Sequence, residues 1–225
     1  MNENQSRYAK QIKRGIISLD QQKRLSDAKV IVVGAGGLGS SILYYLSAVG
    51  IGNIGIVDDD YVNVTNLNRQ ILYTPQEIGK KKVYVAKDKI QSFNPSIKID
   101  ANDLRITRTN IAEIANKYDV VISAVDNMEA RYLLNDFCCN SNKTLVDGAV
   151  EAFWGNVFVF IPHKTACYRM LYSNDIDENI DIGVVGMLPG IIGSIQALEA
   201  TKIILGIGKT LHGRLMQFDG LCDEW

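Results

Sequence analysis

The sequence predicts an α/β fold with a doubly wound, mostly parallel sheet that antiparallel strands continue in its C-terminal part. Residues 29–60 hold a short apolar run, a glycine-rich turn, a helical period and a second apolar run without interruption. Apolar β-branched segments return at 119–124 and 144–149, separated by a helical segment. Strands that alternate with helices form parallel sheets, whereas the alternation at 156–161 is typical of an antiparallel strand.

The first strand, helix and strand predict a Rossmann-like nucleotide site. Three glycines after residues 30–33, namely Gly34, Gly36 and Gly39, supply G-x-G-x-x-G. The N–H groups of such a turn and the positive end of the next helix attract phosphate. The second strand ends at Asp58, where an acid can accept hydrogen bonds from ribose hydroxyls. The alternative is an ordinary glycine turn, and the motif leaves open which nucleotide is bound.

The connection after Asp58 is unusually long and polar. Residues 59–74 (DDYVNVTNLNRQILYT) exceed the usual two to six residues between a strand and a helix, and long ordered connections tend to carry function. A capping box with proline follows at 74–77, and three lysines, 80–82, open the next helix. Cations oppose the dipole at a helix N-terminus, so a bound anion would offset their cost. Otherwise the lysines are a solvated face.

Later elements place a second acid at the same edge of the sheet. We predict a helix ending near Asp27, strands at 97–103, 119–124, 144–149, 156–161 and 214–219, and helices starting at Asn110, at 128–140 and at 189–206. Residues 163–187 show no periodicity. The strand at 119–124 leads to Asp126, and ligands of open sheets bind beyond the carboxyl ends of strands. Asp126 is therefore expected near the glycines and Asp58.

Composition narrows the class of protein. The chain has 225 residues, 47% of them hydrophobic, which is long for one domain but short for two. A net charge of −1 provides no basic field for nucleic acid or an anionic membrane. The start of the chain has no apolar signal segment, and the uncharged run at 182–198 contains a proline and four glycines, so we expect a cytoplasmic protein without a membrane span. The four cysteines include no C-x-x-C and are expected to be reduced thiols.

With these residues in hand, the chain resembles the ThiF/MoeB/HesA family, bacterial relatives of the ubiquitin-activating enzymes. The resemblance covers nearly the whole chain and is carried by GAGGLGS, VDDDYVNVTNLNRQ, IGKKKV, SAVDN and GIIGSIQALEATK. It implies ATP-dependent adenylation, with Mg²⁺, of the C-terminal glycine of a small ubiquitin-like sulfur carrier protein ending in Gly-Gly, for thiamin, molybdopterin or another sulfur pathway. It also implies a homodimer.

The resemblance divides the chain into one adenylation domain, 1–225, with an N-terminal arm and helix (1–28), a nucleotide-binding core (29–150) and an extension (151–225) that carries carrier-binding or dimer elements. It assigns Asp58 to the ribose and Asp126 to Mg²⁺. Lys10 would reach the ATP of a partner subunit, although lysine lacks the bidentate geometry of the arginine common there. The remaining assignments are the glycines 36, 37 and 39 against the nucleotide, Asp60 and Asn66 along the phosphates, and Arg69 and Lys82 on the phosphates; Lys80 and Lys81 stay solvated.

The chain departs from the family at two further places. Cys167-Tyr-Arg-Met170 stands where a C-x-x-C of a structural zinc site is usual, so no zinc is expected. Asn179 stands where some relatives carry a cysteine that bonds to the carrier, so a covalent step there is not supported. Adenylation would need no general base, because the carrier's terminal carboxylate, with a reference pKa of roughly 3.3 to 3.7, is already ionised near neutral pH. His163 and His212 are accordingly expected to be structural or solvated.

Three other functions stay open. An NAD-dependent oxidoreductase would use the same glycines and Asp58, but the cations from Arg69 to Lys82 exceed what a pyrophosphate needs. A non-catalytic subunit of a heterodimer would lack the arginine and aspartate that are present here as Arg69 and Asp126. A relative that adenylates a peptide or a modified tRNA nucleoside would share the motifs.

Overall fold

The structure is a computed structural model that describes residues 6–13, 16–172 and 183–225. Its strands are β1 (Lys29–Val33), β2 (Asn53–Val57), β3 (Lys98–Asn102), β4 (Val120–Ser123), β5 (Thr144–Glu151), β6 (Trp154–Phe160) and β7 (Leu215–Asp219). Its helices are α1 (Ala9–Ile12), α2 (Leu19–Asp27), α3 (Gly37–Val49), α4 (Lys82–Phe93), α5 (Ile111–Ala115), α6 (Met128–Asn140), α7 (Tyr168–Leu171) and α8 (Met187–Leu205). Two 3₁₀ turns, Val64–Asn66 and Pro75–Glu77, lie between β2 and α4.

All strands join one seven-stranded sheet in the order β3-β2-β1-β4-β5-β6-β7. The first five strands of this order run parallel, and β6 and β7 add to the sheet in antiparallel pairs. The order reverses between β1 and β4, because the chain fills one side of β1 before it crosses to the other. The predicted doubly wound sheet with antiparallel strands in the C-terminal part is confirmed.

Helices cover both faces of the sheet, as the side chains of β1 illustrate. Val30 and Val32 belong to one hydrophobic cluster, whereas Ile31 and Val33 belong to the other. Successive side chains of a strand point to opposite faces, so a continuous apolar run indicates a strand that is buried on both sides. The first cluster includes residues of α2, α3, α4 and α8, and the second includes residues of α5, α6 and α7.

Helix α8 lies against α3 and the centre of the sheet. In the described part of the chain one helix, α8, is long and apolar enough to cross a membrane, with a mean hydropathy of 1.3, but half of its apolar window is buried inside the protein. An ideal Cβ on Gly193 would lie 2.2 Å from Ser41 Oγ of α3, so glycine permits this close packing. The helix therefore serves as a core element.

The predicted capping box at Thr74 opens the separate turn Pro75–Glu77, and α4 begins at Lys82, in the predicted lysine run. Between them the backbone leaves the helical path at Gly79, which has φ +84°. The chain then returns to the connection after β2, where Gly79 N–H donates to Val62 O (2.9 Å) and Lys82 N–H donates to Asp60 O (3.0 Å). The aperiodic region includes the short helix α7, and the prediction about Asn179 lies outside the described residues.

Candidate active site

The glycine loop, residues 34–37, turns sharply between β1 and α3. Gly34 has φ +101°, and an ideal Cβ there would lie 2.3 Å from Ala124 O at the end of β4. Any side chain at this position would push the loop away from the neighbouring strand. Gly36 caps α3 without a side-chain hydrogen bond to the first turn. The N–H groups at the positive end of α3 are thus presented to a ligand, which is the arrangement that binds phosphate.

Asp58 stands at the end of β2 and is held by the backbone. Its Oδ2 accepts a hydrogen bond from Ala35 N–H at 2.7 Å, and its Oδ1 accepts one from Asp60 N–H at 2.9 Å. Burial raises the pKa of this carboxyl, while the charge of Lys82 and these two hydrogen bonds act in the opposite direction. Both oxygens keep lone pairs with which they can accept from ribose hydroxyls.

Lys82 is a buried cation at the first position of α4. Its side chain is 5% exposed, and its Nζ lies 2.8 Å from Asp60 Oδ2. The partner carboxylate is 68% exposed, so the pair joins a buried cation to an acid at the cavity surface. A buried lysine needs a counter-charge, and an anion in the cavity would supply a second one.

Lys81 corrects the prediction of a solvated lysine run. Its Nζ donates to Asp59 O at 2.8 Å, pairs with Asp103 Oδ1 at 2.9 Å and lies 4.1 Å from the centre of the Tyr61 ring. The lysine therefore ties the chain after β2 to the chain after β3. Lys80 is exposed, as expected.

Arg69 lies on the connection between β2 and α4, at the edge of the glycine loop. Its Nη1 donates to Thr65 O and to Asn68 Oδ1, each at 3.0 Å. Within the described residues Arg69 has no ion pair, so its charge is available for a ligand anion. The carbonyl of Arg69 lies 3.5 Å from an ideal Cβ on Gly37, which places the segment directly on the loop.

Asp126 follows β4 and is exposed at the opposite wall. Its neighbour Asn127 caps α6 by accepting a hydrogen bond from Ala130 N–H at 2.9 Å. One turn into α6, the buried Arg131 donates from Nη2 to Val125 O at 2.8 Å. The backbone on both sides of Asp126 is therefore fixed by α6, and the carboxylate faces the cavity from a rigid turn.

Arg131 itself is held by a buried acid of β5. Its Nη1 lies 2.6 Å from Asp147 Oδ2, and the two side chains are 7% and 1% exposed. Burial raises the pKa of Asp147. For Arg131, burial acts to lower the pKa, but the negative charge of Asp147 outweighs this effect and the pKa of the guanidinium is raised. The arginine therefore remains charged, and the pair lies beneath the turn that carries Asp126.

One cavity of about 1310 Å³, here named the glycine-loop cavity, is lined by Asp58, Arg69, Lys82, Asp126 and Arg131. One wall is apolar and could hold a flat ring; its residues are Val33, Val57, Leu104, Ile106 and Val125. The predicted site residues that line this cavity are Gly36, Gly37, Asp58, Asp60, Arg69, Lys82 and Asp126. The cavity lining also includes Arg131, Asp136 and Arg169, which extend it along α6, as well as Glu151 and, beside the glycine loop, Pro189.

Three residues predicted for the site are not among those that line the cavity. Gly39 packs beneath the loop, where an ideal Cβ would lie 2.2 Å from Gly34 O, so its place is set by packing and not by a ligand. Asn66 uses its Oδ1 to accept from Asn63 N–H at 3.1 Å, which caps a 3₁₀ turn.

Lys10 is the third. It lies on α1, whose neighbour Gln11 donates to Val49 O at 2.9 Å, at the C-terminal end of α3. The glycine loop lies at the other end of this helix, about 20 Å away for thirteen residues at 1.5 Å each. Lys10 therefore does not reach the cavity of its own chain.

The cavity residues that sequence reasoning missed include Gln70, Arg131 and Arg169. Gln70 adjoins the predicted Arg69 in the motif NLNRQ, so its position was an available signal. Asp147, inside an apolar strand segment, could have signalled a buried partner such as Arg131, because isolated buried acids are rarely tolerated.

Comparisons with known proteins place this geometry in a family. The model of the ThiF family matches residues 8–225. The chain is 42% identical over 226 residues to a sulfur carrier protein adenylyltransferase of Thermus thermophilus, covering 96% of this chain and 83% of that protein. It is also 42% identical over 225 residues to a probable molybdopterin-synthase adenylyltransferase of Porphyra purpurea, covering 97% of this chain but 59% of that protein.

The same fold occurs among solved structures. A crystal structure of E. coli MccB with AMPCPP and MccA superposes with a TM-score of 0.85 over 98% of this chain and 72% of that chain, at 20% identity. At this identity the likeness shows the fold alone.

Proposed function

Because the chain belongs to the ThiF family, we propose that it transfers the adenylyl group of ATP to the C-terminal glycine carboxylate of a small ubiquitin-like sulfur carrier protein. The predicted family and the predicted class of enzyme, an adenylyltransferase that uses ATP, are confirmed by the family match and the relatives. The carrier, the metal and the role of each residue belong to the proposal.

The observation that carries the proposal is the meeting of Asp58, Arg69, Lys82 and Asp126 in one cavity at the N-terminus of α3. Two basic side chains and a helix N-terminus suit a triphosphate, and Asp58 at the end of β2 suits the ribose. The apolar wall beside Asp58 suits the adenine. ATP fills only part of the cavity, so the extension past Arg131 leaves room for the tail of a second substrate.

The reaction that these residues support is a direct displacement. The carrier's carboxylate is already ionised near neutral pH, so an oxygen lone pair can form the bond to the α-phosphorus while the bond to the pyrophosphate oxygen breaks. The products are an acyl adenylate and pyrophosphate, and no proton has to move. The barrier is electrostatic, because an anion approaches a polyanion. Arg69, Lys82 and the N–H groups of the glycine loop would stabilise the charge on the phosphates.

A magnesium ion fits the acids of the cavity. Asp126 offers an exposed carboxylate, and carboxylate oxygens of Asp58, Asp59 and Asp60 lie within 4.8 Å of one another. Carboxylate and phosphate oxygens are the ligands that Mg²⁺ prefers. We assign the ion to Asp126; when bound, it neutralises charge on the phosphates. The absence of zinc, a homodimer in which Lys10 reaches the partner, and a cytoplasmic location stay predictions.

Two alternatives receive less support. Adenylation of a peptide or of a modified tRNA nucleoside would use the same motifs, but the relatives at 42% identity are named for sulfur carrier and molybdopterin-synthase adenylylation. A hydride-transfer site for NAD would not need both Arg69 and the buried Lys82.

The test is ATP–pyrophosphate exchange with a panel of ubiquitin-like carriers that end in Gly-Gly. Arg69→Ala and Asp126→Ala should each lower carrier-dependent exchange about 10²- to 10³-fold, as the loss of one preorganised contact commonly does. Both variants should keep the thermal midpoint of the wild type, since neither side chain is buried in the core.

Lys80→Ala is the matched control. It removes an exposed lysine of the same segment that lies outside the cavity, so exchange should be unchanged. Near-normal exchange in both Arg69→Ala and Asp126→Ala would remove the proposed mechanism.

A further inference from the structure

Gln70 is a buried polar side chain at the wall of the glycine-loop cavity. It is 4% exposed, and its Oε1 is buried without a hydrogen-bond partner. Four described residues have such an atom, namely Gln70, Ser123, Asp147 and Gln196. Of these, Gln70 is the one that lines the cavity. An unpaired buried polar atom is costly, and at a cavity wall a ligand can supply the missing partner.

Hydrogen bonds of the main chain hold the backbone of Gln70 in place. Gln70 N–H donates to Asn66 O at 2.9 Å, and Gln70 O accepts from Tyr73 N–H at 3.0 Å. The hydroxyl of Tyr73 in turn donates to Ala35 O in the glycine loop at 2.7 Å. Gln70 is therefore fixed against the loop, with Nε2 3.6 Å from an ideal Cβ on Gly36.

The position identifies what the ligand must offer. A carboxamide has one acceptor and two donors, and rotation about its last bond exchanges the two ends. The phosphates expected at the N-terminus of α3 offer only acceptors, so they cannot satisfy the oxygen. The ribose hydroxyls are donors, but Asp58 on the other side of Ala35 is placed to accept from them. Two donors remain: the amino group of adenine, which the proposed function places at the apolar wall with Ile106 and Val125, and the peptide N–H of the second substrate. We assign the second.

We propose that Gln70 binds the last peptide bond of the carrier. Its Oε1 accepts a hydrogen bond from the N–H of the C-terminal glycine and so orients the carboxylate toward the α-phosphate. The assignment rests on the proposed function, and it makes Gln70 a specificity-determining residue of the same site. It predicts that a terminal residue without an N–H is a poor substrate.

The experiment is a double-mutant cycle between enzyme and carrier. The enzyme variants are wild type and Gln70→Met, which keeps the length of the side chain but removes both polar atoms; Gln70→Leu is a second variant should the first fold poorly. The carriers are one that supports exchange and its semisynthetic form with N-methylglycine as the last residue. For each pair kcat/KM for the carrier is measured, and AMPCPP affinity is measured without a carrier.

The wild type should lose roughly tenfold in kcat/KM with the N-methylated carrier, and Gln70→Met should lose a similar factor with the normal carrier. The two changes together should cost no more than either alone, because both remove the same bond. AMPCPP affinity should be unchanged.

Independent losses that multiply would overturn the inference, and so would Gln70→Met with wild-type kinetics. A loss of AMPCPP affinity in Gln70→Met would assign the residue to the nucleotide instead. If no carrier supports exchange with the wild type, the proposed function itself fails, and that failure is distinct from the other three results.

Discussion

The pair of Arg131 and Asp147 offers a stability test whose size follows from its burial. Arg131→Met leaves the Asp147 carboxylate, 1% exposed, without its counter-charge. Breaking a buried pair by removing one partner typically costs about 3 to 5 kcal/mol. The free energy of unfolding of a domain is about 5 to 15 kcal/mol in total, so the variant should still fold but with a much lower free energy of unfolding.

The loss should also depend on pH, with a sign set by Asp147. Burial already raises the pKa of this carboxyl in the folded protein, and without Arg131 it rises further. The folded state then holds a proton that the unfolded state, with a pKa of about 3.9, has released. Stability relative to the wild type therefore falls as pH rises from 5 toward 7, by up to about 1.4 kcal/mol per pH unit until the folded pKa is reached.

The assay is urea denaturation of the wild type and Arg131→Met at pH 5 and at pH 7. The double variant Arg131→Met/Asp147→Leu should recover most of the loss, because an apolar pair of similar volume often replaces a buried ion pair at little cost. Arg169→Met is the matched control: it removes an arginine paired with Asp136, a pair that is 37% and 35% exposed, and should cost about 1 kcal/mol or less. A loss below 1 kcal/mol in Arg131→Met, independent of pH, would refute the reasoning.

Two further predictions concern the loop and the thiols. Gly34→Ala should lower the free energy of unfolding by about 3 kcal/mol or more, because the new Cβ would lie 2.3 Å from Ala124 O. Gly79→Ala is the control: its φ is +84° and no atom lies near the new Cβ, so it should cost only the backbone strain of about 1 to 2 kcal/mol. Equal losses in urea denaturation would contradict the proposed packing of Gly34. Burial and the neighbouring Cys167 raise the pKa of Cys139 to about 11, so this thiol should react slowly with iodoacetamide at pH 8. Peptide mass spectrometry should show the exposed Cys222 alkylated well before Cys139, and the reverse order would contradict the prediction.

Most of the fold could be predicted from local sequence patterns. The predicted helix at 128–140 and the strand at 30–33 agree with the structure because buried strands and capped helices have periodicities that a single sequence displays. The sequence indicated the capping box at Thr74 and the lysines that open α4, but not the break between them, since φ at Gly79 is set by the return of the chain to Val62. That contact joins residues far apart in the sequence.

The site was less accessible to sequence reasoning, because its supports are tertiary. Lys81 was predicted to be solvated like Lys80, but Asp103 and the ring of Tyr61 are brought to it only by the fold. Gly39 belonged to the motif and still lies beneath the loop, outside the cavity lining. The burial of Gln70 and its missing partner follow from the way the connection after β2 packs on the loop.

The most direct test of the central claim is the intact mass of a Gly-Gly carrier after incubation with the wild-type chain, ATP, Mg²⁺ and inorganic pyrophosphatase. The account predicts a carrier species heavier by AMP less one water, absent when ATP is omitted and greatly reduced with Arg69→Ala. An unchanged mass for every carrier tested, with ATP bound by the chain, would contradict the claim that this cavity adenylates a terminal glycine.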